Sequence, residues 1–410
     1  MHIYFSLIIL ICLSAGFAYI NHRFLKLPFV IGLFFLSTLL SLFVLSFKYW
    51  HNLPYEEVKS SIETMPLNKI ILDILLGFLL FAGAMHTEWN GLKSQIRPIA
   101  IFAIFGVILS TLMIASLFYF IAQAIHIDIQ FIYCLLFGAL ISPTDPIAVL
   151  GILTKAKVPK RTESIIVGES LFNDGIGVVI FIALLETLHS GGFSMQHVLN
   201  LFLVEAVGGV LAGLLMGYVL HLLLKSIDHY ETEILLTLAF VMGGYALCNF
   251  IHISGALAMV VMGLMVGNFK QNVAMSDVTQ EYLHKFWELI DVILNALLFI
   301  LIAFVLIVIE FKPSYILLSL VSVIIVLLSR IAIVYLPHML WPKLLKLTNA
   351  DARIISWGGL RGGLSLALVL SLPDSENQEL LLIATYFCVL FSILTQGLTI
   401  ERLVQYKKEE

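Results

Sequence analysis

Several polar side chains crowd into one short segment of an otherwise apolar stretch of the chain. The segment reads GESLFND and covers residues 168–174. Its polar members are Glu169, Ser170, Asn173 and Asp174. At about 100° per residue, these side chains share an arc of about 140° on one face of a helix. Charged groups at membrane depth cost about 2.5–3.5 kcal/mol each on insertion scales. The pattern therefore predicts a functional site facing protein or water, because an ordinary structural helix would carry leucine here.

A carboxylate without a basic partner at mid-membrane, as predicted for Asp174, avoids its solvation penalty in one of two ways. It takes up a proton, or it binds a cation. These two states exclude each other, so a group that trades one for the other can couple two ion fluxes. Because hard cations prefer oxygen ligands, we expect a site for a hard monovalent cation formed by Asp174, Glu169, Ser170 and a carbonyl or hydroxyl oxygen of Thr144.

Two apolar segments carry breaks that should interrupt a helix at mid-membrane. In FGALISPTDPIAVLGIL (137–153), Pro143 and Pro146 flank a Thr-Asp pair. Proline removes a backbone donor and clashes with the preceding turn. In SWGGLRGGLSLALVL (356–370), four glycines surround Arg361. We expect Asp145 to cap the amides of one half-helix and Arg361 to face the carbonyl end of another.

A second basic residue, Arg330, lies within another apolar segment. Its distance from the cytoplasmic end of that segment matches the predicted depth of Glu169. The sequence therefore predicts an Arg330–Glu169 ion pair, which would leave Asp174 without a basic partner.

Composition places these motifs in a polytopic all-α membrane protein. The chain is 60% hydrophobic and 12% charged, and its net charge of −4 argues against a nucleic-acid partner. Its four cysteines stand singly in apolar stretches, and the sequence shows no metal-binding spacing and implies no cofactor. Segments long enough to span a membrane are predicted at 3–20, 28–47, 70–86, 98–125, 130–155, 164–188, 197–224, 233–252, 254–269, 286–309, 314–337, 353–372 and 380–401.

These thirteen segments suggest a single domain over residues 1–410, built from two inverted six-helix repeats. The first repeat covers about 3–188, a linker helix covers 197–224, and the second repeat covers about 233–401. The two broken helices then occupy corresponding positions, and we expect them to cross at mid-membrane, as is typical of a transporter's binding site.

The distribution of basic residues predicts the orientation. With the N-terminus outside, the cytoplasmic loops and the C-terminal tail hold seventeen lysines and arginines, whereas the external side holds four. No basic residue precedes the first segment, so we interpret it as a retained helix rather than a signal peptide. The predicted location is the plasma (inner) membrane, with the C-terminus in the cytoplasm.

Five sequence blocks resemble the signatures of NhaP/NHE-type sodium–proton antiporters. They occur in family order between residues 142 and 368: SPTDPIAVLGIL, GESLFNDGIGVVIF, SGALAMVVMGLMVGN, FWELIDVILNALLFILI and SWGGLRGGLSLAL. The resemblance implies that Asp174 is the exchanging carboxylate, that Glu169 and Ser170 co-ligate the ion, and that Arg330 and Arg361 are the family's two membrane arginines. The Asn173-Asp174 pair resembles the form linked to electroneutral one-for-one exchange. A homodimer is also implied.

Other functions remain open at this stage. The same scaffold could carry K+ or Li+ instead of Na+, and the ligands do not separate these ions. An organic-anion site should offer free basic groups, and the sequence shows none near Asp174. An intramembrane aspartyl protease using Asp145 and Asp174 lacks its expected GxGD sequence, and a channel is disfavoured by the exchange chemistry.

Overall fold

The computed structural model describes residues 2–48, 54–63, 65–145, 158–190, 195–268, 276–310 and 312–405, and these residues form helices without any β-strand. In chain order the helices are α1 (His2–Ile20), α2 (Phe29–Phe47), α3 (Pro54–Glu63), α4 (Leu67–Met85), α5 (Trp89–Ser94), α6 (Ile96–Ala124), α7 (Phe131–Ile141), α8 (Lys160–Ser190), α9 (Met195–Lys225), α10 (Tyr230–Phe250), α11 (Gly255–Gly267), α12 (Asp277–Val308), α13 (Pro313–Leu340), α14 (Pro342–Leu345), α15 (Asn349–Trp357), α16 (Gly363–Leu370) and α17 (Glu376–Val404).

Ten of the described helices are long and apolar enough to cross a membrane. They correspond in position to ten of the thirteen predicted segments. The remaining three segments fall on α7, on α11 and on the pair α15–α16, which are shorter. The all-helical membrane fold is thus confirmed, whereas the count of thirteen spans and the two inverted repeats stay predictions.

The predicted break in the segment 353–372 is present in the structure. Helix α15 ends at Trp357, residues 358–362 are not helical, and α16 begins at Gly363. In the other predicted break, α7 ends at Ile141 and residues 142–145 leave the helix. Pro146 and the rest of that predicted segment, up to residue 155, lie outside the described residues.

Two features differ from the expected pattern of spans and loops. The stretch 49–69 reads as a polar connection, yet it contains α3, whose Tyr55 and Ile62 are buried against the bundle. Helix α12 also begins at Asp277, nine residues before the predicted start at 286. In both places polar residues line one face of a helix and apolar residues the other. The mean hydropathy of the segment is therefore low, and the helix is missed when spans are predicted from hydropathy.

The apolar core consists of two large clusters that meet beside the breaks. One cluster joins α2, α7, the second half of α12, and α16 to α17, and the other joins α4, α10, α11 and the first half of α12. Leu72, Val178 and Leu364 pack against both clusters. The segments that leave helical geometry therefore lie close to the place where the two clusters meet.

Candidate functional site

The end of α7 brings a short extended segment against α8. Pro143 packs directly on Gly177, where any added Cβ atom would overlap the proline ring. This close approach places the next residue, Thr144, beside the polar face of α8. Thr144 is 1% exposed and is held entirely by protein groups.

Three predicted site residues form one hydrogen-bonded group. The hydroxyl oxygens of Thr144 and Ser170 are 2.8 Å apart. The Asn173 side chain makes two contacts with Thr144: its Nδ2 donates to Oγ1 at 2.9 Å, and its Oδ1 accepts from the backbone N–H at 3.3 Å. Asn173 therefore fixes the unwound segment to α8 without adding a charge.

The carboxylates of Asp145 and Asp174 line a common cavity. This cavity measures about 60 Å³, which is room for a few water molecules. Leucine and isoleucine side chains from α4, α8, α12 and α16 make up seven of the thirteen other lining residues. The backbone N–H of Asp145 donates to the carbonyl of Leu360 at 2.8 Å, which joins the two broken segments directly.

Arg361 closes the carbonyl end of α7, as predicted from its position. Its Nη1 donates to the carbonyl oxygen of Ser142 and, at 2.9 Å, to that of Pro143. The last carbonyls of a helix lack partners within the helix, and in hydrocarbon such groups must be satisfied by other protein atoms. The arginine supplies that partner from the opposite break.

The predicted ion pair between Glu169 and Arg330 is also present. Nη1 and Nη2 of the arginine donate to the two carboxylate oxygens, the second at 2.9 Å. Both residues are buried, and Nη2 also donates to the carbonyl of Ile355 at 3.0 Å. A Cβ atom at Gly359 would lie 2.5 Å from Arg330 Nε, so the glycine leaves space for the guanidinium.

This pairing bears on the predicted role of Glu169 as a cation ligand. In this conformation both of its oxygens accept from Arg330, and Glu169 is not among the lining residues of the cavity shared by Asp145 and Asp174. Ligation by Glu169 would require one oxygen to leave the arginine. That role stays a prediction, as do the ligand roles of Asp174, Ser170 and Thr144.

A polar contact that the sequence reading missed supports the second break. Helix α17 contains a π-helical turn at Ser392–Gln396. Ser392 Oγ accepts from the backbone N–H of Arg361 at 2.8 Å, and Gln396 Nε2 donates to the carbonyl of Trp357 at 3.1 Å. The only signal for this contact in the sequence is the presence of the polar residues Ser392, Thr395 and Gln396 within an apolar segment. The π-helical turn that they form is a feature often found at functional sites.

Asn295 is a second residue that the sequence reading missed. It lies on α12, is 1% exposed and lines the cavity together with Asp145 and Asp174. Its Nδ2 donates to the backbone carbonyl and to the carboxylate of Asp291, one turn earlier. The i, i+4 spacing of Asp291 and Asn295 in an apolar run was the only signal for it.

The arrangement as a whole puts the carboxylate residues Asp145 and Asp174 and the neutral residues Asn295 and Ser365 around a small space between two broken segments, whereas Thr144 and Ser170 are not among its lining residues. No lysine, arginine or histidine lines this cavity in the part of the chain that the structure describes. Such a site favours a positive charge, which a proton or a metal cation of the hard class can provide.

Comparisons with known proteins agree with this chemistry. The family profile described as "Sodium/hydrogen exchanger, transmembrane" matches residues 9–406. The chain is 43% identical to the Na(+)/H(+) antiporter NhaP of Pseudomonas aeruginosa, over 96% of this chain and 95% of that protein. It is 34% identical to the Na(+)/H(+) antiporter NhaH of Halobacillus aidingensis, over 86% and 87% of the respective lengths.

A solved structure shares the fold. The sodium proton antiporter MjNhaP1 from Methanocaldococcus jannaschii superimposes with a TM-score of 0.77 over 99% of both chains, at 19% sequence identity.

Proposed function

Because this chain belongs to the sodium/hydrogen exchanger family, we propose that it is a secondary antiporter that exchanges Na+ for H+ across a membrane. Asp174 carries the exchange and is alternately protonated and bound to the cation. We also propose that it is a transporter rather than an enzyme, because the matched family is one of transporters.

The observation that carries this proposal is the position of Asp174 in the cavity. The two basic groups of the neighbourhood are engaged elsewhere: Arg330 holds Glu169, and Arg361 donates to the carbonyls at the end of α7. Neither lines the cavity with Asp174. Asp174 is half-buried, in a cavity lined largely by apolar side chains. A carboxylate in such surroundings is most stable when a proton or a cation neutralises it, and the two compete for one place.

The neighbouring groups support a one-for-one stoichiometry. Ser170 and Thr144 offer uncharged hydroxyl oxygens, and the Asn173 amide is occupied in holding Thr144. An asparagine at this position neither gains nor loses a proton, and Glu169 on the same face is paired with Arg330, so Asp174 is the exchanging group on this face of α8. Each turnover then moves one positive charge in each direction.

The experiment that tests this function uses purified protein in acid-loaded proteoliposomes. Addition of Na+ outside should dissipate the pH gradient with the wild type. Asp174→Asn keeps the shape but loses the charge and the exchangeable proton, so its exchange should vanish. Asp73→Asn is the matched control, because Asp73 is another aspartate in a membrane helix but is not among the residues lining the cavity, and it should retain exchange.

Exchange by Asp174→Asn at the wild-type rate would contradict the assignment of Asp174. If K+ but not Na+ dissipates the pH gradient, the transported cation is K+ instead of Na+, whereas the exchange of a cation for a proton at Asp174 is still supported. We propose Na+ because the relatives named above are Na(+)/H(+) antiporters.

An aspartyl protease is the second candidate that the geometry allows, since Asp145 and Asp174 share one cavity. We do not propose it, because the family match covers nearly the whole chain and describes a transporter.

The orientation and the assembly of the molecule are further parts of this proposal. We place the N-terminus outside the plasma (inner) membrane and the C-terminus in the cytoplasm, on the distribution of basic residues. An impermeant thiol reagent should then label Lys59→Cys only from outside. We also propose a homodimer, as the family resemblance implies; the mass measured by light scattering in detergent checks it.

A further inference from the structure

Asn295 presents a buried oxygen that no protein group satisfies. The residue lies in the middle of α12, among large apolar side chains, and is 1% exposed. Its Oδ1 has no hydrogen-bond partner among the described residues, although buried polar atoms are nearly always paired. An unpaired buried carbonyl oxygen destabilises a fold, so its presence calls for an explanation.

The orientation of the amide follows from its partners. Nδ2 lies 2.8 Å from the backbone carbonyl oxygen of Asp291 and 3.0 Å from its Oδ1. A backbone carbonyl accepts and never donates, so a reversed amide would place two acceptors against each other. The amide nitrogen therefore faces Asp291, and Oδ1 is the atom without a hydrogen-bond partner.

The location of Asn295 indicates what this oxygen is for. Asn295 lines the same cavity as Asp145 and Asp174. It comes from a third element, α12, since the two carboxylates belong to the α7 break and to α8. Amide oxygens are good ligands for hard cations, and a carbonyl dipole favours a cation without adding charge.

We propose that Asn295 Oδ1 is a further ligand of the transported cation and that Asp291 is the positioning residue that aims it. This inference rests on the proposed function, because it assigns the ligand to the same cation site. It adds a neutral oxygen from α12 to the ligands expected on α8 and on the unwound segment. The uncharged amide completes the site without a second exchanging proton.

The test measures Na+ binding apart from transport. Asn295→Leu removes the oxygen but keeps nearly the same size. Purified protein is titrated with Na+ at constant ionic strength, and thermal stability is recorded. The half-saturating Na+ concentration should rise about tenfold in Asn295→Leu, which corresponds to about 1.4 kcal/mol. The Michaelis constant for Na+ in proteoliposomes should rise by a similar factor, while the maximal rate changes less than about threefold.

Asn268→Leu provides the matched control. The Asn268 amide is fully paired: its Nδ2 donates to the carbonyls of Thr87 and Leu264, and its Oδ1 accepts from the backbone N–H of Trp89. This variant should lower the melting temperature but leave the half-saturating Na+ concentration unchanged. Asn295→Ala serves as a second variant if the leucine protein does not fold.

The outcomes separate the two claims. If the wild type binds Na+ in the thermal assay but does not exchange it for protons, the proposed function is overturned. The role of Asn295 as a ligand is then still decided by comparing the half-saturating Na+ concentrations of the wild type and the Asn295 variants. A half-saturating Na+ concentration in Asn295→Leu or Asn295→Ala equal to that of the wild type overturns the inference, whatever the transport result. An equal rise in the Asn268→Leu control also overturns it, because the effect would then be one of general stability.

Discussion

At the scale of single residues, the Glu169–Arg330 pair shows how buried charges hold two helices together. The pair joins α8 to α13, and both side chains are withdrawn from solvent. Two charges removed from water regain part of their lost solvation energy from each other. The loss of one partner leaves the other charge buried and alone.

Either single alanine variant, Glu169→Ala or Arg330→Ala, should therefore destabilise the folded protein by about 3–5 kcal/mol. The exchanged pair Glu169→Arg with Arg330→Glu should recover part of that loss. Melting temperature in detergent measures the effect. Lys285→Ala is the control, because Lys285 pairs with Glu281 on an exposed face of α12, and its melting temperature should stay near that of the wild type. Single variants as stable as the wild type would refute the role of the pair.

The ion pair could be predicted from the sequence, because the charge of a residue and its distance from the end of an apolar segment can both be read from it. The same reading did not find the hydrogen bonds between Thr144 and Asn173, or the free oxygen of Asn295. Those contacts depend on how an unwound segment lies against other helices. The course of an unwound segment cannot be predicted from the residues of that segment alone.

At the scale of elements, the two breaks supply each other's missing hydrogen bonds. Arg361 donates to carbonyls at the end of α7, and Leu360 accepts from the backbone of Asp145. The carbonyl of Trp357 is in turn satisfied by Gln396. Each unwound segment therefore depends on the other for backbone groups that water cannot reach.

Arg361→Ala should reduce both stability and exchange. Hydrogen bonds to a charged group contribute about 1.5–3 kcal/mol each, and this variant loses those at two carbonyls. We expect a clearly lower melting temperature and at least a tenfold slower Na+-driven proton flux. Arg353→Ala, an exposed arginine on α15, is the control and should change neither quantity. Wild-type flux in Arg361→Ala would show that the link between the breaks is dispensable.

Hydropathy predicted the long helices well, because a bilayer demands a fixed length of apolar chain. It failed for α3 and for the first turns of α12, where polar and apolar residues alternate around the helix. It also gave no sign of the π-helical turns in α4, α6 and α17. Such turns follow from packing between helices rather than from composition.

At the scale of the whole molecule, the site lies where two apolar clusters meet. Each cluster is well packed internally, and the cavity with Asp145 and Asp174 takes wall residues from both, such as Leu298 from one and Leu80 from the other. Helices α4, α8 and α12 contribute residues to both clusters and so connect the two parts of the core around the cavity. A cavity between two broken helices is typical of the substrate site of a secondary transporter.

Competition between Na+ and H+ for Asp174 is the central claim, and one measurement tests it most directly. The initial rate of Na+ uptake is recorded in proteoliposomes across about three pH units, with and without a K+–valinomycin clamp. Where the site is mostly protonated, the competent fraction falls tenfold per pH unit, so the apparent Michaelis constant for Na+ should rise about tenfold per unit of acidification. The maximal rate should change much less, and the clamp should leave it unaltered. A Michaelis constant for Na+ that stays the same over the whole pH range would contradict the account, because two ions sharing one carboxylate must compete.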